Sequence, residues 1–133
     1  MVGIHGLVGI GKTTIAKAIY NRIVDHFEGS CLLENVREKS RTNDGIIQLQ
    51  ENFLSKILLD KHLKVDSVAK GINMIQEKLH SKMILLILDD VDKSKQIENL
   101  LGLCDWFVSG SRVIITTRDE HLVSNSCKSL YIL

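Results

Sequence analysis

The chain has 133 residues, 44% of them hydrophobic, which fits one globular domain over residues 1–133 and argues against a disordered tail. Its 17 basic and 16 acidic side chains nearly cancel, so the charge favours neither nucleic acid nor a membrane surface as a partner. The three cysteines form no C-x-x-C pair, so we expect neither a disulfide framework nor a zinc site. The longest apolar run, residues 83–88, is too short to cross a bilayer. We therefore expect a cytoplasmic protein without a membrane segment.

Short apolar runs alternate with segments of helical period along the chain. In order, the pattern predicts a strand at "MVGI", a helix at "TTIAKAIYNRIVDHF", a strand at "SCLLENV", helices at residues 46–58 and 68–79, a strand at "MILLILDD", a helix at "SKQIENLL", a strand at "RVIITTRD", a short helix at "DEHLVS" and a strand at "SLYIL". The last three strands are apolar on both faces, which is typical of parallel strands covered by helices on each side. The sequence therefore predicts an α/β fold with a doubly wound, mostly parallel sheet of about five strands.

A glycine-rich segment separates the first predicted strand from the first predicted helix. Residues 6–13 read "GLVGIGKT" and fit G-x-x-x-x-G-K-[ST], the pattern of a phosphate-binding loop. Glycines let backbone N–H groups approach phosphate oxygens, and the helix that follows directs its positive end at the same anion. The nucleotide-binding candidates are Gly6, Gly9, Gly11, Lys12, Thr13 and Thr14. We expect Lys12 to reach the terminal phosphates and the Thr13 hydroxyl to bind Mg²⁺. The alternative is a chance glycine-rich turn, which would not require a strand and a helix on its two sides.

Two carboxylates, Asp89 and Asp90, follow the most apolar predicted strand. Open α/β sheets bind ligands at the carboxyl ends of their strands, where these side chains are expected. Asp89 stands where an acid would hold Mg²⁺, usually through water, and Asp90 where a second acid could orient an attacking water. Alternatively, the pair caps the next helix or remains solvated.

The strand predicted at "RVIITTRD" ends in two hydroxyls and a guanidinium at the same sheet edge. Arg118 could contact a γ-phosphate through its planar set of donors, or pair with a surface carboxylate instead. Two other groups are interpreted as structural. Arg37, Lys39 and Arg41 are predicted to lie in a solvated loop, and Trp106 with Phe107 to cover the sheet.

Four segments in order, "GIHGLVGIGKTTIAKAIYNRI", "FEGSCLLENVRE", "ILLILDDVD" and "WFVSGSRVIITTRDEHL", resemble the nucleotide-binding part of the NB-ARC domain of plant nucleotide-binding, leucine-rich-repeat disease-resistance proteins. With Asp92 after the two strand acids, this segment is similar to that of the family members that carry a Toll/interleukin-receptor-like (TIR) domain. The resemblance implies that Lys12 and Thr13 contact phosphate and magnesium, that Asp89 is the magnesium acid, and that Asp90 is the base and Arg118 the γ-phosphate sensor.

The resemblance also implies a function. It is a switch that binds ADP at rest and ATP when signalling, within a receptor that senses pathogen effectors through its TIR and repeat domains. Nothing in the chain resembles the family's upstream adenine-contacting segment, its later motifs, the TIR domain or the repeats, so we interpret the chain as a fragment of that switch, at most a slow Mg²⁺-dependent ATPase. Two alternatives stay open at this point, a phosphoryl-transfer enzyme such as a small-molecule kinase, and an inert truncated remnant.

Overall fold

A computed structural model describes residues 9–102, 106–108, 110–119, 122 and 130–132, with the backbone alone at residues 9–12 and 130. The helices are α1 (Gly9–Ile23), α2 (Val36–Lys39), α3 (Asn43–Leu58), α4 (Val68–Leu79) and α5 (Ser94–Leu101), and a short 3-10 turn, Val24–His26, follows α1. The strands are β1 (Gly29–Leu33), β2 (Ile84–Leu88), β3 (Arg112–Ile115) and β4 (Leu130–Ile132). Within these described ranges, no helix is long and apolar enough to span a membrane.

The four strands form one parallel sheet in the order β1-β2-β3-β4. Strand β2 lies between β1 and β3, with Leu86 opposite Cys31 on one side and Val113 on the other. All five residues of β2 are buried, as expected for an inner parallel strand covered on both faces. The predicted α/β class with a parallel sheet is therefore confirmed; the predicted strand at residues 1–4 lies outside the described residues.

Alternate side chains of β2 enter two different cores. Leu85 and Ile87 face α1 and pack around its buried Ala16. On the other face, the remaining residues of β2 join a larger core with α3, α4 and α5, in which Phe53 and Ile75 are fully buried. Successive side chains of the strand thus face opposite sides of the sheet, and helices cover both sides. This is the three-layer packing that the apolar strands predicted.

The predicted helices differ from the observed ones mainly at the phosphate-loop end. Helix α1 begins at Gly9, four residues before the predicted start at Thr13, so the second half of the glycine-rich segment forms the first helical turn. Ala16 occupies the buried face of α1, whereas Ala18 is exposed. Helix α4 spans Val68–Leu79 as predicted, and α3 begins three residues early because Thr42 caps it by accepting a hydrogen bond from the Gly45 N–H. Most of the short helix predicted at residues 119–124 lies outside the described residues.

The prediction of a loop around Arg37 is wrong, because residues 36–39 form the one-turn helix α2.

Trp106 and Phe107 provide apolar cover, as predicted. The Trp106 and Phe107 rings stack with centroids 4.2 Å apart and pack against the larger core, and the Trp106 indole donates to the Leu101 carbonyl at 2.8 Å.

Candidate functional site

The carboxyl end of β2 brings the strand acid to the first turns of α1. The Thr13 Oγ1 lies 3.1 Å from Oδ1 and 3.2 Å from Oδ2 of Asp89, although 76 residues separate the two along the chain. On the other side, the Thr116 hydroxyl donates to the same Oδ1 at 2.6 Å. Parallel strands align their carboxyl ends, so the topology explains why β2 and β3 deliver Asp89 and Thr116 to one place.

Asp89 is a buried carboxylate whose described partners are neutral. The residue is 6% exposed, and both side chains that donate to it are hydroxyls. None of the ion pairs between described residues includes it. A buried charge is expected to be paired with a cation, and hydroxyl and carboxylate oxygens are the ligands that Mg²⁺ prefers. The donor set of Thr13 and Asp89 therefore fits the metal that the sequence predicted.

The N-terminal end of α1 meets the requirements of an anion site in its backbone. The N–H groups of the first helical turn have no acceptor within the helix, and that turn contains no acidic side chain to complement the positive helix end. Thr14 follows on the exposed surface of the helix. Gly6 and the Lys12 side chain lie outside the described parts of the structure, so their predicted contacts stay predictions.

Asp90 occupies a turn that two backbone donors fix in place. Its φ of 65° is left-handed, a conformation that Asp tolerates better than most residues. The Asp90 N–H donates to Thr116 Oγ1 at 2.8 Å, and the Val91 N–H donates to the Thr116 carbonyl at 2.9 Å. Asp90 lines a cleft to which Asp89 does not contribute, whereas Asp89 contacts Thr13 and Thr116, so the two neighbouring acids have different surroundings.

Helix α2 is attached to the same turn through its backbone. Asn35 precedes it in a left-handed conformation and makes no side-chain cap. Instead, the Val36 N–H donates to the Asp89 carbonyl at 3.1 Å and the Arg37 N–H donates to the Asp90 carbonyl at 2.8 Å. These bonds satisfy the first N–H groups of the helix, which otherwise have no partner.

Arg37 is the site residue that the sequence interpretation missed. Its Nε lies 3.4 Å from Asp90 Oδ2, with the two side chains 38% and 26% exposed. The available signal was positional, because "NVRE" follows β1 at the same carboxyl edge as the two acids. Charge alternation alone suggested a solvated segment.

A cleft of about 380 Å³ opens beside Asp90. The described side chains that line it are all charged, namely Arg37, Asp90, Asp92, Lys93, Arg118 and Asp119. Arg118 is exposed and shares this cleft with Asp90, as its predicted place at the strand edge required. The structure thus brings Arg118 to Asp90 and Thr13 to Asp89.

Asp92 has a local structural role in this chain. Its Oδ1 accepts a hydrogen bond from Gln96 Nε2 at 2.6 Å, and the Gln96 Oε1 accepts one from the Asp92 N–H at 3.0 Å. This reciprocal pair joins the residue to the first turn of α5, in the manner of a capping box. It fixes the entry to α5 next to the charged cleft.

Comparison with known proteins identifies the domain. The NB-ARC domain family matches residues 1–131. The disease resistance-like protein DSC1 of Arabidopsis thaliana is 41% identical over 133 residues, which cover 100% of this chain and 11% of that protein. The disease resistance protein RUN1 of Vitis rotundifolia is 48% identical over 124 residues, 92% of this chain and 9% of that protein. The TMV resistance protein N of Nicotiana glutinosa is 39% identical over 133 residues, 95% of this chain and 11% of that protein.

The chain thus spans about a tenth of the length of these curated relatives. The family match covers both halves of the site, the segment that contains Thr13 and the strand end that contains Asp89. Since the match extends over nearly all of the sequence, this chain belongs to the NB-ARC family of nucleotide-binding domains.

Proposed function

We propose that this domain is the ADP/ATP-binding switch module of a plant disease-resistance receptor. The main support is the contact of 3.1 Å between Thr13 and Asp89, because it joins the phosphate-loop segment to a strand-end acid. The names of the matched relatives supply the biological context, since they are called disease resistance, disease resistance-like and TMV resistance proteins. In the intact receptor, the module would act with a TIR domain and repeats in the recognition of pathogen effectors.

The adenine nucleotide would bind with its phosphates at the N-terminal end of α1. Backbone N–H groups of that turn would donate to phosphate oxygens, and the Lys12 ammonium would add a point charge at the terminal phosphates. Bound Mg²⁺ would offset phosphate charge. Thr13 would hold it through its hydroxyl and Asp89 through its carboxylate, directly or through water.

Asp90 and Arg118 would act on the terminal phosphate. Asp90 is the residue we assign to orient an attacking water, because it directly follows the proposed magnesium acid and lines a cleft that Arg118 also lines. Arg118 lines that cleft and would contact the γ-phosphate. Hydrolysis in such a switch resets the state of the receptor and need not be fast.

Calorimetry on the lysine tests the binding assignment. Lys12→Ala should weaken Mg²⁺-ADP binding by about 1.5–3 kcal/mol, the net value of a charge-assisted hydrogen bond, or roughly tenfold to 150-fold in Kd. Lys17→Ala is the matched control, because it removes the same charge from the same helix while its Nζ pairs with Glu34 at 3.0 Å on the surface. Equal ADP affinity in wild type and a folded Lys12→Ala would overturn the assignment.

A second experiment separates the two acids. Asp89→Asn should abolish the dependence of ATP binding on Mg²⁺, whereas Asp90→Asn should keep that dependence and slow hydrolysis. Asn is a suitable replacement at position 90 because it tolerates the left-handed backbone there. The same loss of binding and turnover in both variants would contradict the division of roles.

A further inference from the structure

We propose that Arg37 is a specificity-determining residue for the nucleotide: it neutralises Asp90 in the charged cleft and so permits binding of ATP, with its additional terminal phosphate, relative to ADP. This inference rests on the proposed nucleotide-binding function. Arg37 lies on α2. It belongs neither to the phosphate loop nor to the strand ends that carry the two acids and Arg118.

The pairing of Arg37 with Asp90 is built into the backbone. The Arg37 N–H donates to the Asp90 carbonyl at 2.8 Å while its Nε lies 3.4 Å from the Asp90 Oδ2. The partner is held as well, since the Asp90 N–H donates to Thr116 Oγ1 at 2.8 Å. These backbone bonds hold the two residues at a fixed separation, which pairs of independent surface residues lack. The cation is therefore kept beside this carboxylate.

No other described cation takes this position. Among the described residues, Arg37 is the one basic side chain within ion-pair distance of an Asp90 oxygen. Lys93 and Arg118 line the same cleft but form no ion pair with Asp90. Loss of the Arg37 charge would leave the Asp90 carboxylate without its direct counter-charge.

The charges of the described residues around the cleft balance, and the balance depends on Arg37. Among these residues, three cations and three carboxylates line the cleft. Removal of Arg37 leaves an excess of one negative charge, and removal of Asp90 leaves an excess of one positive charge. ATP carries more negative charge than ADP, so these two changes should shift the preference between the nucleotides in opposite directions.

The cleft is near enough to the proposed phosphate site for this effect. Asp89 contacts Thr13, and Asp90 is the next residue, about 3.8 Å further along the backbone. Under the proposed function Asp90 and Arg118 act on the terminal phosphate, so a change of charge at Asp90 would act mainly on the phosphate that ADP lacks. Charges separated by less than a Debye length of about 8 Å are only partly screened at physiological salt.

The test is the ratio of ATP to ADP affinity, measured by calorimetry with Mg²⁺ and a non-hydrolysable ATP analogue. Arg37→Gln should reduce the affinity for the analogue about twofold to fivefold more than that for ADP, the range expected of a partly exposed ion pair. Asp90→Asn should move the ratio the other way. The double variant Arg37→Gln/Asp90→Asn should return it to near the wild-type value.

Arg41→Gln is the matched control. It removes the same charge from the same segment, but its Nη1 pairs with Glu38 at 3.3 Å on the surface and not with Asp90. Its affinity ratio should equal that of the wild type. Arg37→Lys, which retains the charge, should also retain most of the ratio, so a loss caused by disturbed packing of α2 would be recognised.

Each outcome decides a separate point. If the nucleotides bind but Arg37→Gln weakens both equally, the specificity role of Arg37 is wrong and the binding function stands. If Arg37→Gln does not fold, the ratio in Asp90→Asn decides, and an unchanged or ADP-favouring ratio overturns the inference. If the wild type binds neither nucleotide, the proposed function fails and the inference fails with it.

Discussion

At the residue scale, Thr116 determines the positions of both strand acids. Its hydroxyl donates to Asp89 at 2.6 Å and accepts from the Asp90 N–H at 2.8 Å, and the residue is 3% exposed. Thr116→Val keeps the shape of the side chain and removes both hydrogen bonds, so it leaves a buried donor and a buried carboxylate oxygen with fewer partners. We expect a loss of about 1–3 kcal/mol in the free energy of unfolding, measured by urea denaturation.

Thr116→Ser distinguishes this role from simple packing. Serine keeps the hydroxyl and loses only a methyl group, so Thr116→Ser should bind Mg²⁺-ADP like the wild type, whereas Thr116→Val should bind it more weakly. If both variants show the same stability and affinity, the hydroxyl does not organise the acids as described.

Cys31 provides a pH-dependent contribution to stability. Burial raises the pKa of the Cys31 thiol to about 12, from an ordinary value of 9.0, although the nearby Lys56 charge acts in the opposite direction. Below about pH 9 the thiol is neutral in the folded and unfolded chains. Between about pH 9 and 12 only the unfolded chain loses the proton, so the free energy of unfolding should fall, by at most about 1.4 kcal/mol per pH unit from this group.

Comparison with Cys31→Ala isolates that contribution, since lysines and tyrosines also titrate in this range. The variant should be less stable at pH 8 because it leaves a small cavity, and its stability should decline less steeply above pH 9. Chemical denaturation at several pH values measures both slopes. Parallel curves for the two proteins would show that the thiol ionises equally well when folded.

At the element scale, α2 is held between the acid turn and the start of α3. Gly45 lies in the first turn of α3, where an added Cβ would stand 1.8 Å from the Lys39 carbonyl oxygen at the end of α2. Because the obstacle is backbone, α2 would have to move. Gly45→Ala should therefore lower the free energy of unfolding by about 1–3 kcal/mol, in spite of the better helix propensity of alanine.

The same substitution should reach the functional site, since α2 also donates hydrogen bonds to the carbonyls of Asp89 and Asp90. Asn52→Ala, at an exposed position of the same helix, is the control and should be neutral or slightly stabilising. Thermal unfolding and nucleotide titration of the two variants make the comparison. A Gly45→Ala protein as stable as Asn52→Ala would mean that α2 and α3 adjust freely.

Elements with a long apolar pattern could be predicted from the sequence, and α2 could not. The apolar run of β2 and the spacing along α4 identify their elements because each pattern is repeated over several residues. Helix α2 has four residues, too few for a period, and its first N–H groups bond to carbonyls more than 50 residues away. Its existence depends on tertiary contacts that local sequence does not encode.

At the scale of the whole molecule, the parallel sheet explains why residues of the candidate site could be placed at one edge in advance. Asp89, Asp90 and Arg118 follow parallel strands, so the sequence predicted that they share one edge. The side-chain partner of each acid was harder to predict from the sequence. Arg37 and Asp90 are 53 residues apart, and their pairing follows from the left-handed turn at Asp90, which no sequence pattern indicated.

Bound nucleotide should stabilise the entire domain. The proposed ligand binds at α1 and the end of β2, and β2 contributes to the cores on both faces of the sheet. Binding there should raise the stability of all three layers as one cooperative unit. At a Mg²⁺-ADP concentration of 100 times Kd, linkage gives about 2.7 kcal/mol, which corresponds to a rise in Tm of roughly 10 °C for a domain of this size.

Two optical signals test this. The single tryptophan, Trp106, packs against the core on the face opposite α1, so its fluorescence reports on the layer remote from the ligand, while circular dichroism reports on all helices. Both melting curves should shift upward by the same amount on addition of Mg²⁺-ADP. In Lys12→Ala at the same concentration the shift should fall to roughly 1–5 °C, because a Kd weakened tenfold to 150-fold leaves only about 0.3–1.4 kcal/mol of stabilisation. A shift in circular dichroism without one in Trp106 fluorescence would show that the two faces of the sheet unfold separately. Equal shifts in wild type and Lys12→Ala would show that the nucleotide binds elsewhere on the molecule.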